Sequence, residues 1–343
     1  MGESMDILKV RKIYDSMLDE KSKEIFLNRL LFNISNDSKY ILNILNILNL
    51  VDKEAADRKL KKFEQIGKKI FIFGAGSYGQ SIVKYYSNIK WEGFIDNNKK
   101  DNEILGIKVV DFDEFENNYL DSIVVISSPN YYDEMCLQLV NAGFNRENII
   151  TLKEYSYFSN QYFEMSPNEK DKESFVDAGA LNGNTSKKFI NWCKGNYSNI
   201  WAFEPDITSF EKCKNELKYP DVTVYSAGVF GKDGTINFNL TATGGSCIDK
   251  NAINTINTVK LDNVIRNEKV TFIKMDIEGA ELDALKGAEN ILRTQKPKLA
   301  ICVYHKPEDI IEIPNLLLKY NPDYKFKLSH YSYCEYETVL YAF

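Results

Sequence analysis

Histidine is almost missing from this sequence. Its 343 residues include two, and the six cysteines (Cys136, Cys193, Cys213, Cys247, Cys302 and Cys334) form no C-x-x-C pair. A zinc site of the usual spacing is excluded on that count. Dispersed cysteines in a chain of this length read as reduced thiols of a cytoplasmic protein. Basic excess is also lacking: the net charge is −6 and the pI about 5.3. A general nucleic-acid binder needs a basic surface to displace counterions, so no nucleic-acid partner is expected. No apolar run reaches the ~18 residues of a membrane span. The opening stretch MGESMDILKVRKIYD holds no apolar core of a signal peptide.

What remains is the composition of a globular protein, 44% hydrophobic and 27% charged, long enough for two domains. Residues 1–66 read as helical, with charged residues alternating with Leu and Ile. In Tyr40–Leu50 asparagine recurs every third position, so its stripe drifts slowly around a helix and leaves a wide apolar face. That face suits an interdomain or homo-oligomer contact. Strand-like runs begin at Lys69–Phe73 and recur at Trp91–Ile95 and Ile123–Ser127, with helical stretches between. Residues 67–153 thus read as an α/β module of the Rossmann-like, nucleotide-binding type. Residues 154–173 read as a linker. A second alternating series fills 174–343, with strands expected at Phe175–Asp177, Ile200–Glu204, Val222–Ser226, Val270–Met275 and Leu299–Tyr304. Helices are expected at Ile207–Leu217, Ala280–Leu292 and Ile310–Tyr320, and an antiparallel pair from Tyr324–His330 and Thr338–Phe343. The fold class is α/β, two Rossmann-like domains after a helical segment.

Four places at the carboxyl ends of the second series carry chemistry. In Phe175-Val-Asp-Ala-Gly-Ala-Leu-Asn-Gly183 a strand ends at Asp177, and Gly179 and Gly183 shape the turn into a helix. A carboxylate beside that turn would repel a pyrophosphate but suits a cation bearing an ammonium and a sulfonium. Glu204, in Ala202-Phe-Glu-Pro-Asp206, follows the next strand about 20 residues later, where a carboxylate accepts hydrogen bonds from both hydroxyls of a ribose. Asp276, Glu278 and Glu281 cluster in Phe272-Ile-Lys-Met-Asp-Ile-Glu-Gly-Ala-Glu281. Glu281 reads most simply as an acid favoured at a helix N-terminus. Asp276 and Glu278 face the mouth of the sheet, where open α/β folds bind ligands. His305 follows the strand Ala300–Tyr304 at the same edge.

These motifs, with Val259-Lys-Leu-Asp262 and Leu285-Lys-Gly-Ala288, resemble the FkbM family of methyltransferases over about half the chain. In that family's loop an asparagine commonly follows Gly-Ala directly; here Leu181 intervenes before Asn182. The ending Glu337–Phe343 resembles a subgroup linked to surface glycans. The resemblance implies a class I methyltransferase fold, S-adenosylmethionine as donor, and O-methylation of a saccharide or glycan. Asp177, Gly179, Asn182, Gly183, Glu204 and Ala227 then form the cofactor set.

Methyl transfer is an in-line displacement, and positioning alone supplies ~7–11 kcal/mol of such a barrier. A base adds about 10²–10⁴-fold. His305 is the preferred base, since a neutral imidazole titrates near physiological pH, with Asp276 as the alternative. Asp276 could instead orient the hydroxyl or, with Glu278, hold Mg²⁺. Asp233-Gly234 reads as a turn, and Thr243–Cys247 as a connecting loop.

In the first module Gly74-Ala-Gly-Ser-Tyr-Gly79 fits G-x-G-x-x-G between a strand and a helix, and Asp96 stands where a ribose carboxylate would. Gly74, Gly76, Gly79 and Asp96 are a candidate second nucleotide site. The stretches Gly93–Asn98 and Leu105–Val109 resemble Rossmann-like modules attached to nucleotide-sugar-modifying enzymes. A nucleotide-dependent oxidoreductase or nucleotide-sugar-binding module is the alternative function, though no Tyr-x-x-x-Lys pair accompanies the loop.

Overall fold

The computed structural model describes residues 6–48, 53–98, 100–128, 131–150, 158, 160–239, 247–248 and 254–343. Packing divides the chain into two units: residues 35–161 with 330–336, and residues 1–34 with 162–329 and 337–343. This differs from the linear partition expected above, and the backbone gives the reason. Leu18 N donates to the Phe326 carbonyl at 2.7 Å, and Phe326 N to that of Ser16 at 3.0 Å. Leu328 N donates to Ser22 Oγ at 3.1 Å, and Lys9 pairs with Glu312 at 2.9 Å. The first two helices, Ile7–Asp15 and Glu20–Ser35, are thereby tied to the C-terminal part of the chain.

The unit of residues 35–161 contains the helices Lys39–Leu48 and Lys53–Gln65, then strands β1 (Ile70–Phe73), β2 (Trp91–Ile95), β3 (Glu103–Ile104), β4 (Ile107–Val110), β5 (Ile123–Ile126) and β6 (Ile149–Ile150). Their order is β3-β4-β2-β1-β5-β6, all parallel except β3 against β4. β1 and β5 are apolar and buried along their whole length, as central parallel strands covered on both faces must be. Phe71, Phe73, Phe115, Leu139 and Phe144 pack with them. The apolar face of Lys39–Leu48 is buried at Ile41, Ile44, Leu45 and Leu48. Asn49 and Leu50, the end of the asparagine-spaced stretch, lie outside the described residues.

The other unit carries the remaining strands: β7 (Glu173–Ala178), β8 (Tyr197–Phe203), β9 (Val222–Tyr225), β10 (Gly228–Val229), β11 (Gly234–Asn239), β12 (Cys247–Ile248), β13 (Thr255–Val259), β14 (Phe272–Met275), β15 (Lys298–Cys302), β16 (Phe326–His330) and β17 (Thr338–Ala342). A seven-stranded sheet runs β16-β17-β15-β14-β7-β8-β9. β15, β14, β7, β8 and β9 are parallel, and β17 is antiparallel to β15. Lys325 and Phe343 exchange backbone hydrogen bonds, so the chain ends in the expected antiparallel pair. The fold is mixed α/β with mostly parallel sheets and helices at the N-terminus, as the strand spacing predicts.

Two features were not expected. A small second sheet, β10-β13-β11-β12, branches off after β9. Its Asp233 turn is held by Lys260 N, which donates to Asp233 Oδ1 at 2.7 Å. Residues 243–246 of the expected loop lie outside the described residues. The helix expected over Ala280–Leu292 is two helices, Glu281–Lys286 and Glu289–Thr294. A Cβ on Gly287 would sit 2.2 Å from the Phe230 carbonyl, so the backbone passes too close for a side chain. Asp262 then caps the second helix from outside, accepting from Asn290 N at 2.9 Å and Ile291 N at 3.0 Å. That pairing explains why Val-Lys-Leu-Asp and Leu-Lys-Gly-Ala occur together: one supplies the cap and the other the break.

Candidate active site

The carboxyl ends of β7, β8, β14 and β15 adjoin in the sheet, so their following residues meet at one edge. At the first end, Gly179 has φ 79°, and a Cβ there would lie 1.9 Å from the Asp276 carbonyl. The turn thus brings the backbone of 179–183 against the end of β14, at a cost only glycine avoids. Gly183, also left-handed, forms the N-cap of the helix Asn184–Trp192. Asn182 Oδ1 accepts from Asn184 N at 3.1 Å.

Asp177 does not present the open carboxylate that the spacing suggests. It is fully buried, Oδ2 accepts from Ser186 Oγ at 2.7 Å, and Oδ1 lies 3.2 Å from Lys274 Nζ. Lys274, itself 2% exposed, also donates to the carbonyls of Ala178 (3.1 Å) and Gly179 (2.7 Å). Burial alone would lower this ammonium's pKa, but Asp177 and Asp276 outweigh it and the net shift is upward. Asp177 is therefore the anchor of a charged strut beneath the glycine turn, not a direct ligand of a cationic group. An ion left unpaired here would cost several kcal/mol, which is why the two occur together.

Glu204 is 7% exposed. Its Oε2 accepts from Leu181 N at 2.8 Å and its Oε1 from Asp206 N at 2.9 Å. Burial pushes its carboxyl up to about 7, against the pull of those two N–H groups. Both oxygens are thereby fixed in direction, each with a lone pair to spare. Ala227, in the short link between β9 and β10, is buried.

Asp276, Glu278 and His305 do come together, and Glu281 joins them. His305 Nε2 lies 3.5 Å from Asp276 Oδ1 and 3.5 Å from Glu278 Oε2, and its Nδ1 lies 2.9 Å from Glu281 Oε1. The last contact is close but off the ring's N–H axis, an ion pair more than a hydrogen bond. Asp276 accepts from Tyr162 Oη at 2.7 Å and from Tyr304 Oη at 3.2 Å. Burial would raise its pKa, but Lys274, His305 and Tyr162 overcome that and hold it below the ordinary value. Glu278 is pushed up to about 7 by burial. It sits at φ 54°, a conformation that non-glycine residues adopt at sites where geometry outranks local strain.

Two readings change. The imidazole of His305 is not the neutral base expected: burial would lower its pKa, yet the three surrounding carboxylates raise it to about 9. Glu281 is more than an acid at a helix start. It is fully buried, accepts from Ile277 N at 2.8 Å and holds His305. Sequence reasoning missed Lys274, Tyr162, Tyr304 and Ser186. A lysine inside the apolar run Phe272–Met275 was the available signal, because a charge on a doubly buried strand must be paired.

In the other unit, Gly76 is the N-cap of the helix Ser77–Tyr85 and Gly79 packs on the Gly74 carbonyl. Asp96 lies across the turn. Its Oδ2 accepts from Ala75 N at 2.9 Å and its Oδ1 from Asn98 N at 2.8 Å. This carboxylate braces the glycine turn itself.

A glycine turn, a backbone-fixed carboxylate after the next strand and an acidic pocket on the neighbouring strands lie at the sheet edge where open α/β folds bind their ligands. Comparison shows what the chain is similar to. Residues 177–328 match the Methyltransferase FkbM domain. Residues 66–150 match the family C2185-like, N-terminal. The hexuronic acid methyltransferase AglP of Haloferax volcanii is 28% identical over 128 residues, 35% of this chain; the chain spans 53% of that relative's length. The crystal structure of methyltransferase FkbM from Methylobacillus flagellatus KT aligns with TM-score 0.49 and 21% identity, over 80% of this chain and 90% of that one. A SAM dependent methyltransferase from Aquifex aeolicus aligns with TM-score 0.32 and 14% identity, over 55% and 88% respectively. No helix among the described residues is long and apolar enough to cross a membrane.

Proposed function

We propose that the chain transfers a methyl group from S-adenosylmethionine to an oxygen of a saccharide. The observation that carries this reading is Glu204, whose two oxygens are fixed by the N–H groups of Leu181 and Asp206 beside the turn at Gly179. A carboxylate so held accepts both hydroxyls of an adenosine ribose. The backbone of 179–183, with Asn182, lines the methionine end, and Ala227 the base. The acceptor lies against Asp276, Glu278 and His305. Asp276 already accepts from two tyrosines, and His305 is enclosed by carboxylates. Glu278, with a third of its side chain exposed, is the group placed to take a hydroxyl proton. The donor then meets a positioned nucleophile, the largest contribution available to a displacement of this kind. The name of the Haloferax relative supports an acceptor containing a uronic acid.

The test is calorimetry with S-adenosylmethionine and S-adenosylhomocysteine, followed by mass spectrometry of uronate-containing oligosaccharides incubated with protein and donor. Binding with a methyl mass gain is expected. Absence of affinity for either compound would overturn the reading, and dinucleotide binding without it would favour a role for the Gly74–Gly79 turn.

A further inference from the structure

Three carboxylates converge on one imidazole, and that arrangement leaves buried oxygen and nitrogen atoms of Glu281 and His305 without their usual partners. His305 is 8% exposed, and neither ring nitrogen has an aligned hydrogen bond. Glu281 is fully buried, yet its Oε2 has no partner at all. Buried polar atoms in folded proteins are satisfied with few exceptions, and each exception calls for a cause. Here the orphaned atoms belong to Glu281 and His305, and a ligand atom of each lies within 4.8 Å of one of Asp276.

We propose that Asp276, Glu281 and His305 bind a divalent cation, with Mn²⁺ or Mg²⁺ as the chemical class. Metal–ligand bonds of about 2.0–2.2 Å place neighbouring ligand atoms roughly 3.0–3.4 Å apart. His305 Nδ1 stands 2.9 Å from Glu281 Oε1 and Nε2 3.5 Å from Asp276 Oδ1; one of these nitrogens binds the ion, and with one ligand atom from each residue already within 4.8 Å the side chains need only close in. Charge argues the same way. Asp276, Glu278 and Glu281 bring three negative charges to His305, while Lys274, the ammonium that acts on Asp276, is also paired with Asp177. Carboxylates suit hard cations and an imidazole shifts preference toward the first-row ions, which makes Mn²⁺ the better probe. Glu278 flanks the ion from the more exposed side. A bound ion would neutralise the pocket and offer open positions to acceptor oxygens. The inference goes beyond the methyl-transfer reading and does not depend on it.

The experiment uses the full chain, stripped with chelator and titrated with Mn²⁺ alone, without donor or acceptor. Free Mn²⁺ is followed by electron paramagnetic resonance. One equivalent should bind, and pulsed spectra of the bound ion should show imidazole-nitrogen couplings in the wild-type protein. Mn²⁺ should also raise its thermal midpoint. Glu281→Gln and His305→Gln should each weaken binding by roughly tenfold or more, while Glu289→Gln, on an exposed helix, should not change it. Failure to bind stoichiometrically at millimolar Mn²⁺, or binding without nitrogen coupling, overturns the site. Either result leaves donor binding, measured separately, free to stand or fall.

Discussion

The ammonium of Lys274 lies 3.2 Å from Asp177 Oδ1, and the two side chains are 2% and 0% exposed. Adjacent parallel strands put them there: β14 and β7 pair with Lys274 opposite Asp177. The same ammonium reaches the carbonyls of Ala178 and Gly179. One buried ion pair therefore holds the turn on which the proposed donor site is built.

Removing either partner strands a charge. Asp177→Asn or Lys274→Met should each destabilise the fold by about 3–5 kcal/mol, and the double variant should recover part of that loss. Urea unfolding of the three variants measures this. A single variant within about 0.5 kcal/mol of wild type would show that the pair is dispensable.

Glu204 predicts a pH dependence of donor-site affinity. Its carboxyl is raised from 4.5 to about 7 by burial, so its ionised fraction climbs mainly between pH 6 and pH 8. A ribose hydroxyl donates best to the carboxylate. S-adenosylhomocysteine should therefore bind about tenfold more tightly at pH 8 than at pH 6. The sign for stability is opposite. A carboxyl whose pKa is raised by folding penalises the fold when ionised, so the unliganded protein loses this contribution as pH rises from 4.5 toward about 7. Calorimetry across that range checks the first statement. A flat affinity profile in wild type would remove Glu204 from the ribose role.

Much of this was legible in the residues. Alternating apolar runs and turn residues located β1, β2, β5 and β7 to β9, because strand periodicity and glycine punctuation are local properties. Asp177, Glu204, Asp276 and His305 were placed correctly at strand ends for the same reason. Their partners were not visible. Tyr162 stands 114 positions before the Asp276 it serves, in a stretch with linker composition, and only folding joins them. The tie between Ser16–Leu18 and Phe326 carries no strand pattern. The role of Asp177 was misread because a carboxylate's partner decides whether it faces a ligand or a lysine, and the lysine lies on a different strand far along the chain.

Tyr162 is a positioning residue with a separable effect. Its hydroxyl donates to Asp276 Oδ2 at 2.7 Å while its ring lies beneath Lys274, 5.2 Å from the ammonium. Tyr162→Phe keeps the ring and removes the donor. Turnover should fall by roughly tenfold, in line with a lost charge-assisted hydrogen bond of ~1.5 kcal/mol. Affinity for S-adenosylhomocysteine should stay unchanged. A rise in its dissociation constant with kcat preserved would show that Tyr162 supports the donor turn instead.

Glu278 offers the sharpest test of the acceptor side. It follows Asp276 by two residues at a left-handed backbone position, and its Oε2 lies 3.5 Å from His305 Nε2. Among the proposed acceptor-side acids its side chain is the most exposed, at 32% against 24% for Asp276. Asp276 accepts from two tyrosines, and Glu281 Oε1 accepts from Ile277 N beside His305. Glu278→Gln preserves volume and removes the basic oxygen, so turnover should drop by about 10²–10⁴-fold. Donor affinity should hold, since Glu278 pairs with His305 while Glu204 is held by Leu181 and Asp206. Glycine at 278 would instead relieve the left-handed backbone, and Glu278→Gly should be no less stable than Glu278→Gln despite losing the side chain. Single-turnover kinetics with saturating donor separate chemistry from binding. Wild-type turnover in Glu278→Gln would move the proton to another acceptor and end the assignment.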